Sequence, residues 1–252
     1  NEIKIVIPTI DTELLVLSSA KDLFSLNNIE IIVSDFDFIS KCRDKRLTNL
    51  LFNELSINVP RAINKENPSF PLFIKPYDGS LSKDIFLIKR KEELTDSLLN
   101  NPKLMYMEYI NPNDFDEFTI DAYYDKHSDL KCLVPRRRIE VRGGEISKGR
   151  TEKLDFYDIL KNKLTFIKGA NGCLTLQVFI GKVTREIIGI EINPRFGGGF
   201  PLSYASGANY PGYIIQEYIM NETINFNDNW IENRVMLRFD SEVILDQDDF
   251  TY

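Results

Sequence analysis

Residues 187–195 read Ile-Ile-Gly-Ile-Glu-Ile-Asn-Pro-Arg, and no other stretch constrains the fold as strongly. Isoleucine at nearly every second position favours a strand, whose side chains alternate between two faces. Ile188, Ile190 and Ile192 then make an apolar face, while Glu191 and Asn193 share the other at its C-terminal end. Pro194 has no backbone N–H to donate, so the strand stops there. A carboxylate, an amide and the Arg195 guanidinium thus fall on alternate residues and lead into Phe196 and the triplet Gly197-Gly198-Gly199. Glycines there let backbone approach a ligand closely. The pattern fits a metal-and-phosphate site, and equally an ordinary half-buried hairpin with a polar edge.

The preceding segment alternates as well, with Leu174, Leu176 and Val178 on one face and Thr175, Gln177 and Phe179 on the other. A hairpin folded about Thr184 sets Gln177 opposite Glu191. Gln177, Glu191 and Asn193 then offer three oxygens on one patch of sheet, a set that suits Mg²⁺, which keeps water and phosphate among its ligands.

Composition removes several alternatives. The 31 Lys+Arg and 38 Asp+Glu give a net charge of −7, which argues against a general binder of nucleic acid or anionic membrane. Small anions must be held by local clusters. Cys42, Cys132 and Cys173 are odd in number and lack metal-ligand spacing, so they read as buried thiols of a reducing compartment. The single histidine, His127, lies in a polar turn, which leaves no Ser-His nucleophile and no multi-histidine metal site. No membrane-length apolar run or signal-peptide pattern is present, and the expected location is the cytoplasm. Because Asn1 directly precedes a strand-like run, the natural protein is expected to extend upstream.

Along the chain, residues 2–7 and 29–33 read as strands flanking a helix that starts at Asp11 and runs to Leu26, a β-α-β unit. A second helix is predicted from Ser40 to Glu54. Short strands follow at 71–75 and 84–89, then a helix at 91–99. Strands at 104–109, 115–124, 130–141 and 145–148 predict an antiparallel sheet. Asp155 starts a helix to Lys168, Pro211 suits the first turn of another, and residues 234–239 and 242–245 read as a terminal hairpin.

Several further groups bear on chemistry. Lys75 ends a buried apolar run, and Lys45 opens a helix; either alone is more often a surface lysine. Gly79, Ser80 and Ser82 lie in a polar loop that offers N–H groups and hydroxyls to phosphate, although it is no Walker sequence. Glu108, Tyr109 and Ile110 end a strand, with Glu117 and Asp121 on the next. Arg136-Arg137-Arg138 is a poor nucleic-acid patch, and both a structural role and a contact to a substrate carboxylate or phosphate stay open.

In this order the residues resemble the ATP-grasp superfamily, and most closely carboxylate-amine ligases like the large subunit of carbamoyl-phosphate synthase. The resemblance covers essentially the whole chain, and its strongest motif is Glu191-Ile192-Asn193-Pro194-Arg195. It implies an α+β ATP-grasp fold: part of a Rossmann-like pre-ATP-grasp domain at 1–40, a small lobe with linking helix at 41–107, and a large lobe with C-terminal hairpin at 108–252. It further implies ATP with Mg²⁺ or Mn²⁺ as cofactors. Lys45, Lys75, Gly79, Ser80 and Ser82 would meet the phosphates, Glu108, Tyr109 and Ile110 the adenine, and Glu117 the ribose. Gln177, Glu191 and Asn193 would bind metal, with Gln177 where the family more often has glutamate. Arg195 would neutralise the transferred phosphate. Arg136, Arg138 and Gly198 are candidate substrate contacts, residues 143–151 resemble a mobile loop, and residues 203–209 would line the acceptor pocket. The implied activity joins a small carboxylate to an amine through an acyl phosphate, with small-molecule partners and room for a homodimer. The competing reading is a non-catalytic ATP-binding regulatory module; phosphorylation without ligation is a third.

Overall fold

The computed structural model describes residues 2–79, 83–239 and 241. At the N-terminus, β1 (Ile5–Val6) and β2 (Glu30–Ile31) pair in parallel around α1 (Leu14–Ser19) and α2 (Lys21–Ser25). Leu14, Ile31, Val33 and Ile39 form their own small core. The helix expected from Asp11 is thus two helices broken at Ala20, and Asp11 caps neither. The helix expected from Ser40 is also two, α3 (Phe36–Arg43) and α4 (Lys45–Glu54), so α3 crosses the boundary expected between residues 40 and 41. The break falls at Asp44, which is extended and accepts the Arg46 N–H at 2.9 Å. A short carboxylate satisfies a free helix-terminal donor better as an N-cap than within a helix.

The small lobe is a three-stranded antiparallel sheet in the order β4 (Phe86–Ile88), β3 (Leu72–Pro76), β5 (Leu104–Glu108). Leu72, Ile74 and Ile88 are its core. Between β4 and β5 the expected helix is a 3₁₀ turn at Lys91–Glu93 followed by α5 (Asp96–Leu99), capped by Thr95.

The large lobe holds the main core. Its six antiparallel strands are β6 (Phe115–Tyr124), β7 (Leu130–Arg142), β8 (Glu145–Thr151), β9 (Gly172–Gly181), β10 (Ile187–Asn193) and β11 (Val235–Leu237), ordered β10-β9-β6-β7-β8-β11. Alternation works as the sequence predicts in β9: Leu174, Leu176 and Val178 are fully buried, while Gln177 and Phe179 face the space between the lobes. Three helices pack on this lobe: α6 (Tyr157–Lys163), which Asp155 does not cap, α7 (Phe200–Ala205) and α8 (Tyr210–Tyr218). Residues 143–151, expected as a mobile loop, form a β7–β8 hairpin whose turn uses Gly143 and Gly144 at φ +56° and +83°, a region side chains rarely enter. Of the expected terminal hairpin, β11 pairs with β8, and residues 242–245 lie outside the described residues.

Two local features aim the candidate site. Between Gly189 and Glu191 the β9–β10 ladder slips by one residue, a bulge that sets Glu191 opposite Gln177. Bulges re-aim side chains. Ile188 and Ile192 are accordingly buried, whereas Ile190, expected on the same apolar face, lines the interlobe cleft. Gly189 meets Phe52 of α4 so closely that a Cβ there would lie 2.5 Å from the ring. This contact seats α4 against β10, with Lys45 at the start of the helix held over Glu191.

Candidate functional site

Between the lobes lies a cleft of about 220 Å³ whose walls include Phe73, Ile85, Met107, Phe179 and Ile190. One end is cationic. Lys45 Nζ lies 3.3 Å from Glu191 Oε1 and donates to the Gly79 carbonyl at 2.5 Å. Lys75, on β3, is 8% exposed. Burial, reinforced by the charge of Lys45 and opposed by Glu191, lowers its pKa from 10.5 to about 8. Gly79 and Lys83 line the cleft, while Ser80 and Ser82 lie outside the described residues.

At the other end the chain leaves β5. Glu108 uses its carboxylate on the chain itself, accepting the Arg61 N–H at 2.8 Å and pairing with Arg61 Nε at 3.5 Å. Tyr109 and Ile110 follow on the cleft wall, with no backbone hydrogen bond among the described residues. Their N–H and C=O groups are therefore open to a planar, hydrogen-bonding ring. Glu117, on β6, also faces the cleft, 3.1 Å from Arg138 Nε. Burial raises its pKa, Arg138 lowers it, and Glu191 adds to the rise.

Beyond the lysines the cleft widens into a space of about 530 Å³ that brings Glu117, Arg138, Gln177, Glu191, Asn193 and Arg195 together. Gln177 is the register partner of Glu191, and Asn193 that of Thr175. The side-chain amides of Gln177 and Asn193 make no hydrogen bond among the described residues. Two unengaged amides beside one carboxylate are a hard-oxygen set that fits Mg²⁺ or Mn²⁺ when phosphate completes the shell.

Arginines dominate the next compartment, a chamber of about 50 Å³ lined by Thr119, Arg136, Arg138, Thr175, Asn193, Arg195 and the glycine triplet, with no carboxylate in its walls. Arg138 also donates to the Gly144 carbonyl at 3.0 Å. Arg195 pairs with Asp11 Oδ2 at 2.6 Å, donates to the Phe196 carbonyl at 3.0 Å, and keeps a buried Nε with no partner among the described residues. Gly198 is in the lining as expected. Arg136 is not the open contact the sequence suggested. It is 1% exposed and bound through Nε and Nη2 to Asp121 at 2.7 and 2.9 Å, so it forms a sealed floor beneath Gly199. The physical reason is charge pairing: a guanidinium on the covered face of β7 needs a carboxylate, and Asp121 supplies it from the adjacent strand. Ser203, expected in the acceptor pocket, is likewise buried and donates to Asp121.

Sequence reasoning missed Asp11, read as a helix cap, and gave Asp121 no role. Asp11 lies 184 positions from Arg195, and no spacing rule links them. For Asp121, the signal was an acid set in the apolar C-terminal half of its strand, beside the arginine-rich strand that follows it in the sequence.

A family model described as "ATP-grasp in the biosynthetic pathway with Ter operon" matches residues 100–235. No curated protein matches the sequence. Among solved structures, the biotin carboxylase domain of Hydrogenobacter thermophilus 2-oxoglutarate carboxylase, in complex with MgADP, ADP and bicarbonate, superposes with a TM-score of 0.74 at 14% identity, over 92% of this chain and 57% of that one. N5-carboxyaminoimidazole synthetase from Staphylococcus aureus gives 0.66 at 14% identity, covering 91% and 63%. An L-amino acid ligase from Bacillus licheniformis gives 0.61 at 17% identity, covering 83% and 54%. The chain thus spans little more than half to under two thirds of these structures' lengths, and at such identities the likeness is one of fold.

Proposed function

Because this chain belongs to the ATP-grasp family of the biosynthetic pathway with the Ter operon, we propose that it is an ATP-dependent carboxylate-amine ligase. One observation carries the reading. Glu191, with Gln177 and Asn193, stands at the junction of a lysine-bearing cleft shaped for a nucleotide and an arginine-lined chamber free of carboxylates. Phosphoryl transfer depends on positioning and on neutralising spread negative charge, which this junction can supply.

In this reading the apolar walls and the backbone of Tyr109 and Ile110 hold adenine, Glu117 the ribose, and Lys45, Lys75 and the loop at Gly79 the phosphates. Gln177, Glu191 and Asn193 would hold Mg²⁺ or Mn²⁺, which supplies charge neutralisation between the phosphates. Arg138 and Gly198 hold the substrate carboxylate. Its oxygen attacks the γ-phosphorus, the bond to the β-phosphate oxygen breaks, and ADP leaves. Arg195 steadies the charge on the transferring group. The amine, neutral once its ammonium proton has passed to solvent, then attacks the acyl carbon, forming C–N as the C–O bond to phosphate breaks. Inorganic phosphate leaves with the amine's second proton.

The test is ADP release from MgATP across a panel of small carboxylates and amines. Release that requires both an acid and an amine supports ligation. Release that needs no amine points to phosphorylation alone. MgATP binding with no turnover on any pair favours the regulatory module instead.

A further inference from the structure

A second cavity, of about 690 Å³, shares Arg195, Gly197 and Gly198 with the arginine chamber but has the opposite character. Its other walls are mainly apolar: Ile7 and Ile10 from the N-terminal unit, and Phe196, Phe200, Pro201 and Pro211 from the large lobe. The two phenylalanine rings meet edge to face at 4.7 Å and form a continuous surface. Among the described residues its only charged side chains are Asp11 and Arg195, already bound to each other through Asp11 Oδ2. Asp11 Oδ1 has no partner among the described residues, and the side chain is 40% exposed. Ile10, Asp11 and Arg195 also line the interlobe space that holds Glu191 and Asn193, so the two spaces communicate at this ion pair.

Charge sorts the occupants. The chamber presents Arg138 and Arg195 above the sealed Arg136, with no carboxylate among its described lining residues, which suits an anion. The apolar cavity is lined by Asp11, whose Oδ1 makes no hydrogen bond among the described residues, which suits a cation. A second carboxylate would face Asp11, and a small polar amine would leave the phenylalanine and isoleucine surface in water. We propose that this cavity is the site of the amine substrate, and that the amine is carried on an apolar body with its ammonium paired to Asp11. The assignment rests on the ligase reading above and adds the substrate class to it. It also gives the N-terminal unit a function, since Asp11 and Ile10 come from there.

Calorimetric titration of the full chain with three probes tests this: 3-phenylpropylamine, 3-phenylpropan-1-ol and ethanolamine. The amine with the apolar body is expected to bind about tenfold tighter than either of the others, as one charge-assisted hydrogen bond or one buried ring implies. Asp11→Asn should bring it to the level of the alcohol. Ile10→Lys, at an exposed position that folding tolerates, should abolish binding through charge and lost apolar surface. Equal affinity for amine and alcohol, no binding of 3-phenylpropylamine at all, or binding unchanged in both variants would overturn the assignment. If ADP release with other acid-amine pairs persists while the probes fail, the ligase reading stands without this site. If the probes bind as expected and no pair turns over, the ligase reading falls and the cation site remains.

Discussion

The interlobe cleft and the arginine chamber are both lined by cations, yet they are built differently. In the cleft the cations are lysines from separate elements, Lys45 at the start of α4 and Lys75 on β3 of the small lobe. Lys75 is desolvated enough for its pKa to fall to about 8. In the chamber the cations are arginines clamped by acids: Arg136 by Asp121, Arg138 by Glu117, Arg195 by Asp11. Guanidiniums keep their charge at any relevant pH and orient flat, forked donors, whereas ammoniums are adjustable point charges. Lysines thus suit a polyphosphate gripped between two lobes. Fixed arginines suit a planar carboxylate that must be aligned for attack.

Changes at the junction should have the largest effect. Glu191→Ala removes the one carboxylate of the metal set, and turnover should fall by about a thousandfold, in the range seen when a charge-stabilising group is lost. Thermal melting checks that the fold persists. On the chamber side, Arg138→Leu should raise KM for the acid by about a hundredfold, the loss of a charge-assisted, forked contact. MgATP affinity, measured by calorimetry, should change far less; an equal loss for both ligands would erase the distinction between the compartments. Gln177→Glu restores a second negative charge to the metal set. The Mg²⁺ concentration needed for half-maximal activity should drop by about fivefold, since ligand charge tunes affinity for hard cations.

The smallest effect separates lysine from arginine directly. Below about pH 8 Lys75 is protonated in the free protein, and MgATP affinity should be insensitive to pH. Above it the free protein has lost that proton, a bound phosphate draws it back, and affinity should fall by about twofold between pH 8 and 8.5 under simple linkage. Calorimetry in buffers of differing ionisation enthalpy should detect the proton uptake. Acid binding in the chamber should show no such step over the same range.

Much of this was legible because strand patterns are local. The alternation in β9, the stop at Pro194 and the hairpin between β9 and β10 follow from side-chain period and proline chemistry, whereas Glu191 comes to face Gln177 only through the bulge after Gly189. Helix limits were less legible. Asp44 and Ala20 break expected helices because capping and packing outweigh apolar periodicity. Ile190 escaped because a bulge changes the period at one residue, and Arg136 because its partner lies on another strand.

Neighbours along the chain decide the strands, the antiparallel sheet, the carboxylate-amide-guanidinium order of Glu191, Asn193 and Arg195, and the glycine turn after it, and all of these can be read from the amino-acid order alone. Which charges meet is decided in three dimensions. Packing joins Asp11 to Arg195, Asp121 to Arg136 and Lys45 to Glu191, and so divides the space around Arg195 into an arginine-lined chamber and an apolar cavity whose one acid is paired with Arg195. Pairing of charges on distant segments follows from how sheets and helices stack against one another, and no periodicity along the chain encodes it.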